Sequence, residues 1–160
     1  MELRGASALV TGAGRGIGRA IARRLAASGV GVTAVARTSS DLDRLVREIK
    51  AEGGRAFAFP GDIRDAGVCV AAVARAVEAH GRLQILVNNA GIGVRSAVAD
   101  TSDEDWAQIV DTNLTAVFRL TRAALPHLVR GGGHVFMVSS LAGSNASSSS
   151  RKGCQRVSAR

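Results

Sequence analysis

Short apolar runs with the character of β-strands alternate along the chain with longer segments of helical pattern. Glycines close several of the helical segments, and each segment leads into another apolar run. Such alternation builds right-handed βαβ units, whose strands lie parallel in one sheet, so the sequence predicts an α/β fold. The predicted strands are Ser7–Thr11, Val30–Ala36, Arg55–Phe59, Leu83–Val87 and His134–Ser139.

Four helical regions connect these strands. Ser39 or Ser40 is the predicted N-cap of the second region, and Thr101 or Ser102 is that of the last, because serine and threonine hydroxyls accept hydrogen bonds from the first free amides of a helix. The last region is predicted to bend near residues 111–113. The predicted helices are Ile17–Ala27, Leu42–Glu52, Arg64–His80 and Asp103–Val129.

The size and apolar content of the chain suit a single packed domain. Its 160 residues are 46% apolar, which rules out wholesale disorder. We expect residues 1–143 to form this domain and the serine- and arginine-rich residues 144–160 to be a disordered tail.

Charge and composition argue against several functional classes. The net charge is +8, but residues 144–160 carry four cations and no acid, so a nucleic-acid-binding function would depend on a short tail without aromatic residues to stack on bases. No apolar run is long enough to span a membrane. The three histidines lack the spacing of metal ligands, so no metal site is predicted. Two cysteines, Cys69 and Cys154, make no disulfide framework, which favours a cytoplasmic location.

A glycine-rich turn follows the first strand and opens the first helix. Its spacing is Gly12-x-x-x-Gly16-x-Gly18, preceded by Thr11. Small residues let backbone amides approach a pyrophosphate, and a helix N-terminus attracts negative charge. The alternative is a turn that needs glycine for steric reasons alone. Its position after the first strand favours phosphate binding.

Further motifs occur in order on the predicted elements. Asp62 follows the third strand, Asn88-Asn89-Ala90-Gly91 closes the fourth, Asn113 lies in the bent helix, and Ser139-Ser140-Leu141-Ala142-Gly143 ends the fifth. Together with the glycine turn, they make the sequence resemble the short-chain dehydrogenase/reductase family over roughly residues 3–143. The sheet is expected to be a Rossmann-like, doubly wound one in the order 3-2-1-4-5.

The resemblance implies reversible hydride transfer between a nicotinamide cofactor and a small-molecule carbonyl or alcohol, for example by a 3-oxoacyl reductase. It implies no nucleic-acid or membrane partner, and such proteins are usually homo-oligomers. Ser140 and Asn113 occupy catalytic positions of the family. The cofactor-binding residues implied are Thr11, Gly12, Arg15, Gly16, Ile17, Gly18, Arg37, Asp62, Ile63, Asn88, Asn89, Ala90 and Gly91.

Each motif also has a simpler structural interpretation. Asp62 could cap the following helix. Asn88 and Asn89 could be turn residues whose side chains bond their own backbone. Asn113 could satisfy backbone groups at a helix bend, and a serine pair at a strand end is common. Only the joint occurrence of the motifs favours the functional interpretation.

The residues after the second strand favour NADP(H) over NAD(H). An acid at this position binds the ribose hydroxyls of NAD(H), whereas an arginine accommodates the additional phosphate of NADP(H). Here Arg37 follows the strand, no acid occurs before Asp41, and Arg15 adds a cation from the glycine turn. The alternative is that Arg37 is a solvated surface residue.

The chain contains no tyrosine, although the family uses a tyrosine and a lysine four residues later to move the proton. The family pattern places them near Lys152–Val157, where nothing replaces the phenol convincingly. The family's later strands are also expected to be absent. We therefore expect impaired activity, and the alternative is a non-catalytic dinucleotide-binding fragment, produced by a shifted frame, a premature stop or natural truncation.

Overall fold

A computed structural model of the protein describes residues 3–93 and 97–140. Within them, five parallel strands form one sheet in the order β3-β2-β1-β4-β5, which confirms the predicted α/β topology. The strands are β1 Ser7–Thr11, β2 Gly31–Ala36, β3 Arg55–Pro60, β4 Ile85–Asn88 and β5 His134–Met137. The predicted tail at 144–160, together with Leu141, Ala142 and Gly143 of the last motif, lies outside the described residues.

The helices lie close to their predicted positions. The long region after β4 divides into two α-helices separated by a π-helical turn at Asp111–Thr115, which is where the sequence predicts a bend. A short 3₁₀ turn, Val98–Asp100, precedes it. The helices are α1 Gly16–Ala27, α2 Ser39–Ala51, α3 Ala66–His80, α4 Asp103–Val110 and α5 Ala116–Gly131. None of the helices in the described part of the chain is both long and apolar enough to cross a membrane.

The two faces of the sheet carry separate cores because successive side chains of a strand point to opposite faces. Ala8 and Val10 of β1 pack on the face covered by α1 and α2, whereas Leu9 packs on the face covered by α3 and α5. All five residues of β1 are buried, as expected of a central strand of a parallel sheet. The edge strand β5 differs, since all four of its residues are exposed.

Two of the predicted helix starts are wrong. No side chain caps α2, which follows Thr38. The hydroxyl of Ser39 instead lies 3.2 Å from the Asp43 carboxylate within the same helix. Helix α3 begins at Ala66 rather than Arg64, because the carboxylate of Asp65 accepts hydrogen bonds from the amides of the first turn.

The N-cap of α4 confirms one of the two predicted residues. The hydroxyl of Ser102 accepts a hydrogen bond from the Asp105 amide at 3.1 Å, which satisfies one of the free amides of the first turn. Three acids, at positions 103, 104 and 105, add favourable charge at the same helix end. The long helical region therefore starts where the sequence predicts.

Candidate functional site

A cleft of about 780 Å³ lies at the carboxyl ends of the strands, where the strand order reverses between β1 and β4. Open α/β sheets bind ligands at this switch point, because the connections on either side diverge and leave a crevice. We call it the nucleotide cleft. Ten of the residues predicted to bind a cofactor line it: Gly12, Arg15, Gly16, Ile17, Arg37, Asp62, Ile63, Asn89, Ala90 and Gly91.

The glycine turn brings α1 against the sheet. Gly12 has φ of +64° and Gly16 has φ of +54°, a left-handed conformation that favours glycine. A Cβ atom added to Gly18 would overlap the Asn89 side chain and the carbonyl oxygen of Gly12. Gly18 thus lies beneath the cleft and permits close packing, whereas the backbone at Gly16 borders open space.

The N-terminus of α1 has no acceptor from its own side chains. Arg15 precedes the helix without a capping hydrogen bond, and the first turn contains no acid. The first amides of a helix lack intrahelical partners and carry partial positive charge, so an anion can bind there. The open amides and the glycine backbone fit the diphosphate of a dinucleotide, and Arg15 and Arg37 add two positive charges to the same cleft.

Thr11 and Asn89 join the ends of β1 and β4. The Thr11 hydroxyl lies 3.0 Å from the amides of both Asn89 and Ala90, and it also lies 3.3 Å from the Val87 carbonyl oxygen. In return, Asn89 Nδ2 donates to the Thr11 carbonyl oxygen at 2.9 Å. The side chain of Asn89 therefore bonds a neighbouring strand, so its interpretation as a turn residue bonding its own backbone is wrong.

The charged groups of the nucleotide cleft are unevenly paired. Asp62 forms an ion pair with Arg64, and the acid Asp41 forms one with Arg44. In the described part of the chain, Arg15 and Arg37 belong to no ion pair. The Arg64 guanidinium holds the pKa of the Asp62 carboxyl below its ordinary value, and the charge of Arg37 acts in the same direction.

Asp62 does not cap α3, contrary to the simpler interpretation of that residue. Its carboxylate instead accepts a hydrogen bond from the Arg64 amide at 3.0 Å, and Asp65 provides the cap. Sequence reasoning missed Arg64 and Asp41 as residues of the cleft. In the sequence, only the position of Arg64 two residues after the predicted nucleotide-binding acid points to it, and that spacing is common on protein surfaces.

A second cleft of about 570 Å³ adjoins the first, and Ala90, Gly91 and Ile92 line both. We call it the substrate-side cleft. It also contains Asn113 and Ser140, so the structure brings both predicted catalytic residues to one cavity. Its remaining lining residues are Asn88, Val117, Met137, Val138 and Ser139.

The Asn113 amide ties the π-helical turn to the loop after β4. Its Oδ1 accepts from the Ile92 amide at 2.9 Å, and its Nδ2 donates to the Ile92 carbonyl oxygen at 2.8 Å. Asn113 therefore does satisfy backbone groups at the interruption of the helix, as its simpler interpretation holds, but these groups belong to the loop after β4. π-helical turns within α-helices occur frequently at functional sites, as this one does.

Asn88 is the most buried polar residue of the substrate-side cleft, with 4% of its surface exposed. Its Nδ2 donates to Thr121 Oγ1 at 3.1 Å and lies 3.4 Å from Met137 Sδ, so it joins β4 to α5 and β5 rather than to its own turn. Its Oδ1 is buried and has no hydrogen-bond partner within residues 3–93 and 97–140. Within the same residues, no three His, Cys, Asp or Glu side chains are grouped so that they could hold a metal ion.

Comparisons with known proteins agree with this arrangement. A sequence model described as short chain dehydrogenase matches residues 6–151. A ketoacyl reductase, HetN, from a Nostoc species is 40% identical over 142 residues, which are 88% of this chain and 50% of the relative. The chain spans about half the length of the curated relatives it matches.

Solved structures show the same fold. A metagenomic short-chain oxidoreductase in complex with NADP superposes with a TM-score of 0.84 at 39% identity, over 91% of this chain and 66% of that one. A 7α-hydroxysteroid dehydrogenase complexed with NADH and a 7-oxo bile acid gives a TM-score of 0.85 at 33% identity, over 90% of this chain and 57% of that one. The chain therefore belongs to the short-chain dehydrogenase/reductase family, whose members are oxidoreductases that bind a nicotinamide dinucleotide.

Proposed function

We propose that this chain is the nucleotide-binding part of an NADP(H)-dependent short-chain oxidoreductase that acts on a small carbonyl or alcohol substrate, such as a 3-oxoacyl group. The observation that carries this proposal is the pair of adjoining clefts at the switch point of the sheet. One holds the glycine turn and two arginines that form no ion pair within the described residues, and the other holds Asn113 and Ser140. The ketoacyl reductase among the relatives supports the substrate class.

The nucleotide cleft offers a group for each part of NADP(H). The amides at the start of α1 would bind the diphosphate, Arg15 and Arg37 would bind the 2′-phosphate, and Asp62 with Ile63 would contact the adenine. Thr11 and Gly18 would act indirectly, by holding the glycine turn in place. The bound nicotinamide would supply the hydride chemistry, so the protein has only to bind, orient and manage a proton.

The substrate-side cleft supplies two of the groups that the family uses. The Ser140 hydroxyl would hold the oxygen of the substrate, while Asn113 and Asn88 would fix the walls around it. Val117 and Met137 give the cleft an apolar side suited to a hydrocarbon chain. A substrate with a polar carbonyl and an apolar tail fits this distribution.

A second candidate function is nucleotide binding without turnover. The observation that favours it is the absence of tyrosine from the sequence, because loss of a positioned acid or base costs about 10²–10⁴-fold in rate. In this case the nucleotide cleft would still bind NADP(H). We further propose that residues 1–143 form the binding domain, that residues 144–160 are a disordered tail, and that the protein is cytoplasmic.

The test is a calorimetric titration of the purified chain with NADPH and NADH, followed by turnover assays on a ketone panel that includes a 3-oxoacyl thioester. We expect tighter binding of NADPH, with Arg37→Ala weakening it and Arg23→Ala, which removes an arginine outside both clefts, leaving it unchanged. Binding without turnover would support the second candidate. A well-folded chain that binds neither nucleotide would overturn both.

A further inference from the structure

The segment from Asp62 to Arg64, here called the Asp62 turn, places a paired acid at the edge of the nucleotide cleft. The Arg64 Nε atom lies 3.1 and 3.0 Å from the two carboxylate oxygens of Asp62, and its Nη2 lies 2.6 Å from Oδ2. The Arg64 amide donates to Oδ1 at 3.0 Å. Both oxygens of Asp62 are thus engaged by a single residue, in the two-pronged geometry that fixes a carboxylate most firmly.

The backbone of the Asp62 turn is held by the elements around it. Arg119 of α5 donates from Nη1 to the Arg64 carbonyl oxygen at 2.8 Å. The buried thiol of Cys69 donates to the Ile63 carbonyl oxygen at 3.1 Å, and the Asp65 amide donates to that of Asp62 at 3.0 Å. The backbone carbonyl oxygens of all three residues of the turn are therefore hydrogen-bonded, which holds the backbone in place. The orientation of the Asp62 carboxylate then depends on the partner of its side chain, Arg64.

The pairing also determines the charge of the nucleotide cleft. Three arginines and two aspartates line it: Arg15, Arg37, Arg64, Asp41 and Asp62. With Arg64 present, the lining has an excess of one positive charge. Without Arg64, the cleft would lose one positive charge and Asp62 would lose its partner, whereas Asp41 would keep Arg44, so an incoming phosphate would be attracted less strongly.

We infer that Arg64 is a positioning residue that sets the nucleotide preference of this site, because it orients Asp62 toward the adenosine end of the cleft and cancels its charge. This inference rests on the proposed function. The positive field of Arg15 and Arg37 is then available to the additional phosphate of NADP(H). The same pairing holds the Asp62 carboxylate in one orientation as an acceptor, and the Arg64 guanidinium lowers the pKa of this carboxyl.

The experiment compares the dissociation constants of NADPH and NADH for the wild type, Arg64→Ala, Arg64→Lys and the control Arg23→Ala. Arg23 forms an exposed ion pair with Glu52 and lines neither cleft, so its removal deletes the same charge elsewhere. We expect Arg64→Ala to weaken NADPH binding about tenfold and NADH binding about twofold, because only NADPH carries the extra phosphate. Arg64→Lys should keep the preference within about twofold while weakening both, because it keeps the charge but loses the two-pronged contact.

An equal change for both nucleotides in Arg64→Ala would overturn the inference, and so would a loss of preference in Arg64→Lys as large as that in Arg64→Ala. A second measurement uses NMR titration of the Asp62 carboxyl in the protein without nucleotide. Its pKa should rise in Arg64→Ala toward the ordinary value of an aspartate, and an unchanged pKa would also overturn the inference. A wild-type chain that binds neither nucleotide would refute the proposed function itself, whereas a wild type that binds NADPH and variants that keep its preference would refute only the role of Arg64.

Discussion

The N-termini of α1 and α3 lie at the same edge of the sheet but are built in opposite ways. Helix α3 supplies its own acceptor, since Asp65 Oδ1 lies 2.6 Å from the Gly67 amide. Helix α1 has glycine and arginine at the corresponding place and no side-chain acceptor. Helix α2 also lacks a side-chain cap but has Asp41 in its first turn, whereas α1 has neither a cap nor an acid there. The first amides of α1 are therefore open to an anion, as the proposed diphosphate site requires.

The largest effect should come from filling the space that lets α1 approach the sheet. A Gly18→Ala substitution would force its Cβ against the Asn89 side chain and the Gly12 carbonyl. We expect the free energy of unfolding to fall by about 3 kcal/mol, because neither neighbour can move freely. Urea denaturation measures this change.

Gly93→Ala is the matched control for this prediction. Its added Cβ would meet no atom of residues 3–93 and 97–140 within 4 Å, and its backbone φ is not positive. We expect its stability to change by less than about 0.5 kcal/mol. Equal stability of the two variants would show that the close approach of α1 is not needed, and the contrast with α3 would lose its structural basis.

The next effect comes from giving α1 the kind of cap that α3 has. Arg15 has the extended backbone of an N-cap residue, so Arg15→Asp would place a carboxylate over the first amides. We expect NADPH affinity to fall more than about tenfold, which corresponds to about 1.4 kcal/mol or more, because the carboxylate competes with the phosphate. Stability should stay the same or rise by up to about 1 kcal/mol.

Calorimetric titration and urea denaturation of the same samples would measure both quantities. Arg15→Ala separates loss of the cation from gain of the cap, and it should weaken binding less than Arg15→Asp does. If Arg15→Asp bound NADPH as tightly as the wild type, the open amides of α1 could not be the phosphate site.

The reverse substitution on α3 should affect folding but not binding. Asp65→Ala removes the acceptor for two amides, so we expect a loss of about 1 kcal/mol in the free energy of unfolding. NADPH affinity should remain within about twofold, because Asp65 lines neither cleft. Asp43→Ala, which removes an exposed carboxylate from α2, should cost less than about 0.5 kcal/mol. An Asp65→Ala variant as stable as Asp43→Ala would contradict the capping role.

The smallest effect concerns the other end of α3, where His80 packs against Gly31 of β2. Burial, followed by the charge of Arg55, lowers the pKa of this imidazole below its ordinary value. Between the two pKa values the unfolded chain binds more protons than the folded one. The free energy of unfolding is therefore greatest above the unfolded pKa of about 6.5 and should decrease as the pH falls below it.

Urea denaturation at about pH 7.5 and about pH 5.5 would measure this slope. His80→Gln should remove part of it, whereas His127→Gln on α5 serves as the matched control and should retain it. A slope that is identical in all three proteins would show that α3 carries no buried titrating group at this end.

The sheet order was predictable because local signals agree with it. Each strand is marked by a short apolar run, and a parallel connection has one allowed handedness. The α2 cap was predicted wrongly because Ser39, Ser40 and Asp41 all fit a start signal, and only the structure shows that the Ser39 hydroxyl is 3.2 Å from Asp43. Helix boundaries depend on such local competition between nearly equal acceptors.

The members of the candidate site were predictable, but their partners were not. Asp62, Asn89 and Asn113 occur in recognisable order, whereas each one's role depends on a contact outside its own motif. Asn89 bonds Thr11, which is 78 residues away in the sequence, and Asn113 bonds Ile92, 21 residues away. The hydrophobic periodicity of a sequence does not indicate such contacts between distant residues. Arg64 was missed for a related reason, since an arginine two residues from an acid is ordinary on a protein surface.

The common wall of the two clefts, Ala90 to Ile92, limits what mutagenesis can separate. Any substitution there changes the shape of both clefts. A kinetic defect of such a variant therefore cannot be assigned to the binding of one ligand alone. Substitutions meant to affect the binding of one ligand only have to be made at side chains that line a single cleft. Examples are Arg37 in the nucleotide cleft and Val117 in the substrate-side cleft. The same restriction applies in evolution, since a substitution in this wall that favours a new substrate also changes the shape of the nucleotide cleft.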